Sequence, residues 1–314
     1  MKRRDLLQGA AAFGVLAAMP FSAAGKLLVG ARAAAAPAGG AQGSHPQARP
    51  NPLTPPAQSS IPVAFLVSEG AVVIDFCGPW EVFQDAVVPG RQDAPFKLYT
   101  VAETTRPIRA SAGLTIVPDY SLASAPAPKV IVIPAQSGRS EAMLQWIRRA
   151  SKGADVTMSV CTGAVLLAKT GLLAGKAATT HHDSFRTFAM AFPDVRLQRG
   201  ARFVEDGNLA SAGGLSSGMD LALRVVERYF GREAATKTAY YMEYQGQGWL
   251  NPNANAAYAV ARVSTGAHPL CPVCTMDVDP KSAPKSVYRG KTYYFCTTDH
   301  KAIFDAAPAK FIDT

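Results

Sequence analysis

Between residues 154 and 173 an apolar run, ADVTMSV, leads directly into a helical pattern, GAVLLAKTGLL, and only Cys161 and Thr162 stand between them. A short, continuously apolar run suits a strand buried on both faces, as in a parallel sheet. Three further runs read the same way: IPVAFLV (61–67), FKLYTVA (96–102) and KVIVIP (129–134). Between them lie helical stretches, PWEVFQDAVV (79–88), SEAMLQWIRRA (140–150) and SSGMDLALRVVERYF (216–230). Strands alternating with helices predict an α/β fold, a mostly parallel sheet flanked by helices on both faces. Ligands bind such sheets beyond the carboxyl ends of the strands, which is where Cys161 falls. A cysteine at a helix N-terminus is expected to favour its thiolate. The Thr162 N–H is then placed to meet a developing negative charge. A buried packing cysteine fits the same pattern, and the spacing leaves both readings open.

The chain has 314 residues, 48% of them apolar and 18% charged, which suits one large domain with an appendage. It opens MKRRDLLQGAAAFGVLAAMP, a basic start followed by a short apolar run. This is signal-peptide anatomy, and Arg3–Arg4 before Asp5, Leu6 and Leu7 gives it twin-arginine character. Ala31–Arg32–Ala33 offers a cleavage site, so residues 1–33 are expected to be a leader and 34–60, rich in Ala, Pro, Gly and Ser, a tether. Ala10–Ala24 is shorter than the roughly 20 residues a membrane span needs, so the expected end point is a periplasmic protein with no stable membrane insertion after cleavage. Five basic residues and one acid of the formal +9 chain lie in the leader. No basic stripe interleaved with aromatics remains, and no nucleic-acid partner is expected.

The five cysteines are odd in number, and three of them sit near the C-terminus, so a disulfide framework is not the expected use. Cys271 and Cys274 form a C-x-x-C pair; Cys296 and His300 form a second close pair. Three thiols and an imidazole make a tetrahedral set for a soft or borderline metal. The intervening residues 287–295 read as a hairpin turning at Arg289–Gly290, followed by a short helix. A unit of this size has too small a core to stand alone without a staple. The spacing CPVC-M, Y-x-G-x-x-YYFC and F-x-x-x-P resembles a YHS domain. Residues 268–314 are therefore expected to hold zinc or copper on Cys271, Cys274, Cys296 and His300. Residues 251–267 are expected to be a linker.

The larger domain carries a second resemblance. SVCTGAVLLAKTGLLAGKAATTHHD (159–183), IDFCGPWEVF (74–83), FVEDGNLASAGGLSSGMDLAL (203–223) and MEYQGQGW (242–249) together resemble the ThiJ/PfpI family, in its isonitrile hydratase-like branch. The resemblance spans about 61–255 and implies a flavodoxin-like domain, akin to class I glutamine amidotransferases, assigned here to 61–250. It implies Cys161 as nucleophile, Asp75 as its proton-handling acid and Thr162 as the neighbouring amide and hydroxyl. It also implies His181 beside the nucleophile. Gly78, with Pro79, is expected to shape the turn presenting Asp75, though Asp75 read alone could simply cap a helix. Gly213 and Gly214 belong to the expected substrate wall. Where the family often has Pro-Gly-Gly this chain reads Pro134–Ala135–Gln136, so Ala135 and Gln136 are expected to reshape the pocket.

These resemblances imply a cysteine-dependent lyase that hydrates an isonitrile to an N-substituted formamide through a Cys161 thioimidate. No cofactor is expected in the α/β domain, the substrate is a small molecule, and a homodimer is implied. The alternative is a periplasmic metal-binding or metal-responsive protein whose α/β domain binds ligands or does other thiol chemistry of the glyoxalase or deglycase kind.

Overall fold

The computed structural model describes residues 51–56, 59–260, 263–266 and 268–312. The expected leader and the first part of the tether lie outside the described residues. Among those described, no helix is long and apolar enough to cross a membrane.

The strands in chain order are β1 (Ile61–Leu66), β2 (Phe96–Ala102), β3 (Ile108–Arg109), β4 (Thr115–Ile116), β5 (Tyr120–Ser121), β6 (Val130–Ile133), β7 (Val156–Val160), β8 (Ala177–Ala178), β9 (Arg196–Leu197), β10 (Phe203–Asp206) and β11 (Leu209–Ala212). Seven of them form one sheet in the order β10-β11-β7-β6-β1-β2-β5. Every neighbouring pair is parallel except β10–β11. The order reverses direction at β1, with β2 on one side and β6 on the other. That switch point opens a crevice at the carboxyl edge, where ligands bind in such sheets.

Alternation along the central strands feeds two cores. Ile61, Val63 and Phe65 point into a layer with Val82, Phe83, Leu221 and Val225. Ala64 and Leu66 point into a layer with Met143, Ile147 and Leu167. Helices α1 (Val73–Gln84) and α5 (Ser217–Tyr241) cover the first face; α2 (Glu141–Ala150) and α3 (Gly163–Lys169) cover the second. A short α4 (Phe185–Ala191) follows the His181–His182 turn. The last of the long helices is broken at Gly231, whose φ of 84° departs from the helix. The mostly parallel sheet with helices on both faces is as the sequence predicts.

Two local expectations need correction. The first helix starts at Val73, six residues before the expected PWEVFQDAVV, so Asp75 sits inside its first turn and not in a loop. Pro79 lies within the helix, where its missing N–H costs one rung of the ladder. Gly78 and Pro79 therefore form part of a helix and not a presenting turn. The missing side chain at Gly78 admits Met219 of α5, whose Cγ would lie 2.9 Å from a Cβ there.

Residues 251–260 pack on the α/β domain: Arg202 N–H donates to the Pro252 carbonyl (2.6 Å), and Tyr258 stacks on His182 with ring centroids 4.8 Å apart. Leu53 is held likewise, its N–H donating to the Arg228 carbonyl at 2.7 Å.

The C-terminal module has the expected hairpin, β12 (Lys285–Tyr288) and β13 (Lys291–Tyr294), turning through Arg289 (φ 49°) and Gly290 (φ 75°). Two consecutive left-handed residues make the tight turn that matches strand twist. Helix α6 (Thr298–Ala306) follows, and Phe295, Phe304 and Phe311 close a small core around Cys271 and Cys274. Arg186 ties module to domain, donating to the carbonyls of Pro272 and Lys310, each at 3.0 Å, and lying over the Phe311 ring.

Candidate functional site

Cys161 joins β7 to α3 with φ at 57°, a left-handed conformation that side chains rarely adopt. The strained corner is the geometry of a nucleophile elbow. Its surroundings hold it there. The Cys161 N–H donates to the Gly213 carbonyl (2.8 Å), and its carbonyl accepts from Thr180 Oγ1 (3.0 Å). A Cβ at Gly163 would collide with the Ile133 carbonyl, so the residue after Thr162 must be glycine for the helix to start this close to β6.

Asp75 is fully buried beneath the same corner. Its Oδ2 accepts from the Ala135 N–H at 3.0 Å. The carboxyl also lies against the Cys161 thiol, close enough to influence it, yet Oδ1 has no donor in hydrogen-bond geometry. The contact is an approach of two proton-bearing groups, short of a formed bond. Burial raises the Asp75 pKa to about 7, opposed by the Ala135 N–H and the thiol. Burial, and then the Asp75 charge, push Cys161 up to about 12, opposed by the backbone N–H groups of Thr162 and Leu215 and the Thr162 hydroxyl.

The expected stabilised thiolate is thus corrected. A seven-residue helix offers part of a charge at its N-terminus, and the loss of water around a buried sulfur outweighs it. At neutral pH the pair is a thiol beside a carboxyl group near its midpoint.

Thr162 sits where expected, with its amide and hydroxyl on the sulfur. The second amide comes from Leu215, which sequence reading missed. Leu215 has φ at 44°, and the left-handed turn after β11 aims its N–H at Cys161. No glycine at that position signals such a turn. Gly213 and Gly214 precede it in backbone roles. Gly213 accepts from Cys161, and Gly214 leaves room for the His181 ring, which a Cβ would strike.

Ala135 and Gln136 turn inward. The Ala135 N–H is spent on Asp75 and its carbonyl accepts from Val72 (2.8 Å). Gln136 Nε2 donates to the Leu66 carbonyl (2.9 Å), which ties the loop to β1. Ala135 thus holds the Asp75 carboxyl, and Gln136 fixes the loop that carries Ala135.

His181 lies over Gly214, with Nδ1 accepting from the Asp183 N–H at 3.3 Å. The groups acting on the Cys161 thiol are Asp75, Thr162 and Leu215; His181 is not among them. Asp220, in the first turn of α5, anchors the end of the domain. It is buried, paired with Arg202, and accepts from Tyr244 and the Trp249 N–H, locking the closing MEYQGQGW segment. Cys77 is half-buried on α1.

In the C-terminal module the four expected ligands converge. Cys274 and Cys296 sulfurs are 3.4 Å apart, His300 Nδ1 is 3.1 Å from Cys296 and 3.7 Å from Cys271, and all four donor atoms lie within 4.8 Å of one another. Thr297 caps α6 by accepting from the His300 N–H (3.1 Å), which turns His300 back onto Cys296. Three thiols and one imidazole nitrogen fit a tetrahedral soft or borderline metal ion.

Comparison with known proteins agrees. Residues 62–228 match the DJ-1/PfpI family, and residues 271–314 match the YHS domain. The chain is 31% identical over 194 residues to isonitrile hydratase of Pseudomonas putida, covering 59% of this chain and 79% of that protein. It is 25% identical over 188 residues to the HTH-type transcriptional regulator GbdR of Pseudomonas aeruginosa, covering 58% of this chain and 50% of the regulator. A THiJ/PfpI family protein from Pseudomonas syringae superposes with a TM-score of 0.54 at 26% identity, over 65% of this chain and 84% of that one. Drosophila melanogaster DJ-1beta shares the fold, with a TM-score of 0.52 at 21% identity, over 60% of this chain and all of that one. The chain therefore belongs to the DJ-1/PfpI family and carries a YHS domain with a Cys/His cluster at its C-terminal end.

Proposed function

We propose that this protein is an exported, cysteine-dependent lyase that hydrates an isonitrile to an N-substituted formamide. The observation that carries the reading is the pairing of a buried, mostly protonated thiol with a carboxyl group of pKa about 7. The pair needs no resting thiolate. Asp75, protonated, gives its proton to the terminal carbon of the neutral isonitrile. The Cys161 sulfur bonds to that carbon and its own proton passes to the Asp75 carboxylate. The product of this step is a thioimidate, R–N=CH–S–Cys161, with Asp75 protonated again. Water then adds to the same carbon, the C–S bond breaks, and the thiol and R–NH–CHO are released. This is covalent catalysis assisted by one proton shuttle. The Thr162 and Leu215 amides face the sulfur, where they can stabilise the negative charge it takes up as the C–S bond breaks. His181 has no step in this path. The identity with isonitrile hydratase over most of that protein supports the assignment.

Twin-arginine export to the periplasm and homodimerisation belong to the same proposal. In the YHS domain, Cys271, Cys274, Cys296 and His300 would hold zinc or copper(I), which would staple the small core. A second reading, a metal-responsive protein whose α/β domain only binds ligands, is favoured by the assembled Cys/His cluster itself.

The test is turnover of cyclohexyl isocyanide by the parent, Cys161→Ala and Asp75→Ala proteins. The parent is expected to form the formamide. Both variants should lose on the order of a thousandfold or more in kcat/KM. Parental kcat/KM should fall as pH rises through about 7, where Asp75 gives up its proton. An inert parent, or an active Asp75→Ala, would overturn the proposal.

A further inference from the structure

We propose that His181, His182 and Asp183 form a second metal site, for a borderline divalent cation such as Zn²⁺ or Cu²⁺, on the wall of a cavity shared with the YHS domain. The three residues stand together at the turn before α4. One donor atom from each lies within 4.8 Å of the others. The Asp183 carboxylate reaches both rings, at 3.1 Å from His182 Nδ1 and 3.6 Å from His181 Nδ1. Two imidazoles and one carboxylate are the donor set that suits zinc or copper(II) and leaves open positions.

The rings are held, not loose. His181 and His182 lie 4.4 Å apart between centroids. Tyr258 stacks on the outer face of His182, and Gly214 gives His181 its seat. Packing that fixes ligand rings is what a metal site requires of its surroundings. The side chains are still between a fifth and a third exposed, so an ion can reach them.

Location gives the site its meaning. His182 lines a cavity of about 750 Å³ whose far wall includes Thr275 and Lys310 of the YHS domain. Thr275 is the residue after the ligand Cys274, at the tip of the cysteine knuckle. The nitrogen–oxygen site therefore faces a space bounded on its other side by the residue next to a ligand of the Cys/His cluster. His181 and His182 also line a smaller cavity of about 190 Å³ with Leu215, whose amide faces Cys161.

The experiment is a Co²⁺ titration of the full-length, metal-free protein under reducing conditions. Two equivalents are expected to bind. One should give intense thiolate-to-cobalt charge transfer from the YHS cluster, and the other only weak ligand-field bands. His182→Ala combined with Asp183→Asn should remove the second equivalent and leave the thiolate band intact, with the far-ultraviolet circular dichroism and melting of the α/β domain at parental values to show that it is folded. His182→Gln should weaken the second equivalent by a factor on the order of ten or more. A parent that binds one equivalent only overturns the proposal, as does a second equivalent that survives in the double variant.

Discussion

Cys161 and Cys271 are the same side chain, both buried, and their surroundings drive them in opposite directions. At Cys161 the nearest titratable group is a buried acid, and burial with that acid keeps the thiol protonated up to about 12. At Cys271 the thiol of Cys274 and the backbone N–H groups of Cys296, Cys274 and Val273 converge on the sulfur, pulling its pKa down to about 4. Cys274 is pushed up by bonding to Cys271, and Cys296 is raised mainly by burial. One cysteine is kept neutral beside a proton donor, and the other is prepared to meet a cation. The difference comes from what stands around the sulfur and owes little to the fold that carries it.

The largest effect that would break this comparison comes from removing the cation-binding set. Cys271→Ser, or strong chelation, should abolish metal retention at the Cys/His cluster and melt the YHS domain, whose small core depends on Phe295, Phe304 and Phe311. Structural metal sites of this type supply on the order of 10 kcal/mol. The melting of the α/β domain should stay unchanged. A thiolate-bound equivalent retained in full in Cys271→Ser would show that the ligand set is wrong.

A smaller effect sharpens the other half. Asp75 titrates near 7 in the fold against 3.8 as an ordinary carboxyl, so the folded state holds its proton longer. The unfolded chain loses that proton first as pH rises from about 4. Stability therefore falls between pH 4 and 7 and levels off above it, by about 4 kcal/mol in all. Asp75→Asn keeps an oxygen for the Ala135 N–H and carries no charge. It should melt well above the parent at pH 8, and the gap should narrow at pH 5. A variant that melts below the parent at both pH values would mean that Asp75 is not the buried acid described here.

Much of this was legible in the residues. Apolar runs such as VTMSV and VIVI could only be buried strands, and the abrupt passage from Val160 through Cys161 to Gly163 marked the elbow. The Cys271, Cys274, Cys296 and His300 set was readable from spacing. The start of α1 was missed because Gly78–Pro79 reads as a turn, whereas packing against α5 carries Pro79 inside the helix. Leu215 was invisible because its left-handed backbone comes from long-range fit. The ionisation of Cys161 was misjudged for the same reason: burial depth is a property of the whole sheet, and no local pattern reports it.

The most direct measurement is the ultraviolet thiolate absorbance of the parent minus that of Cys161→Ala, followed from pH 5 to pH 11. The account predicts no thiolate signal from Cys161 through pH 9, with Asp75→Asn bringing its onset to lower pH by removing the neighbouring charge. A Cys161 thiolate fully formed by pH 7 would contradict the thiol–carboxyl pair on which the proposed chemistry stands.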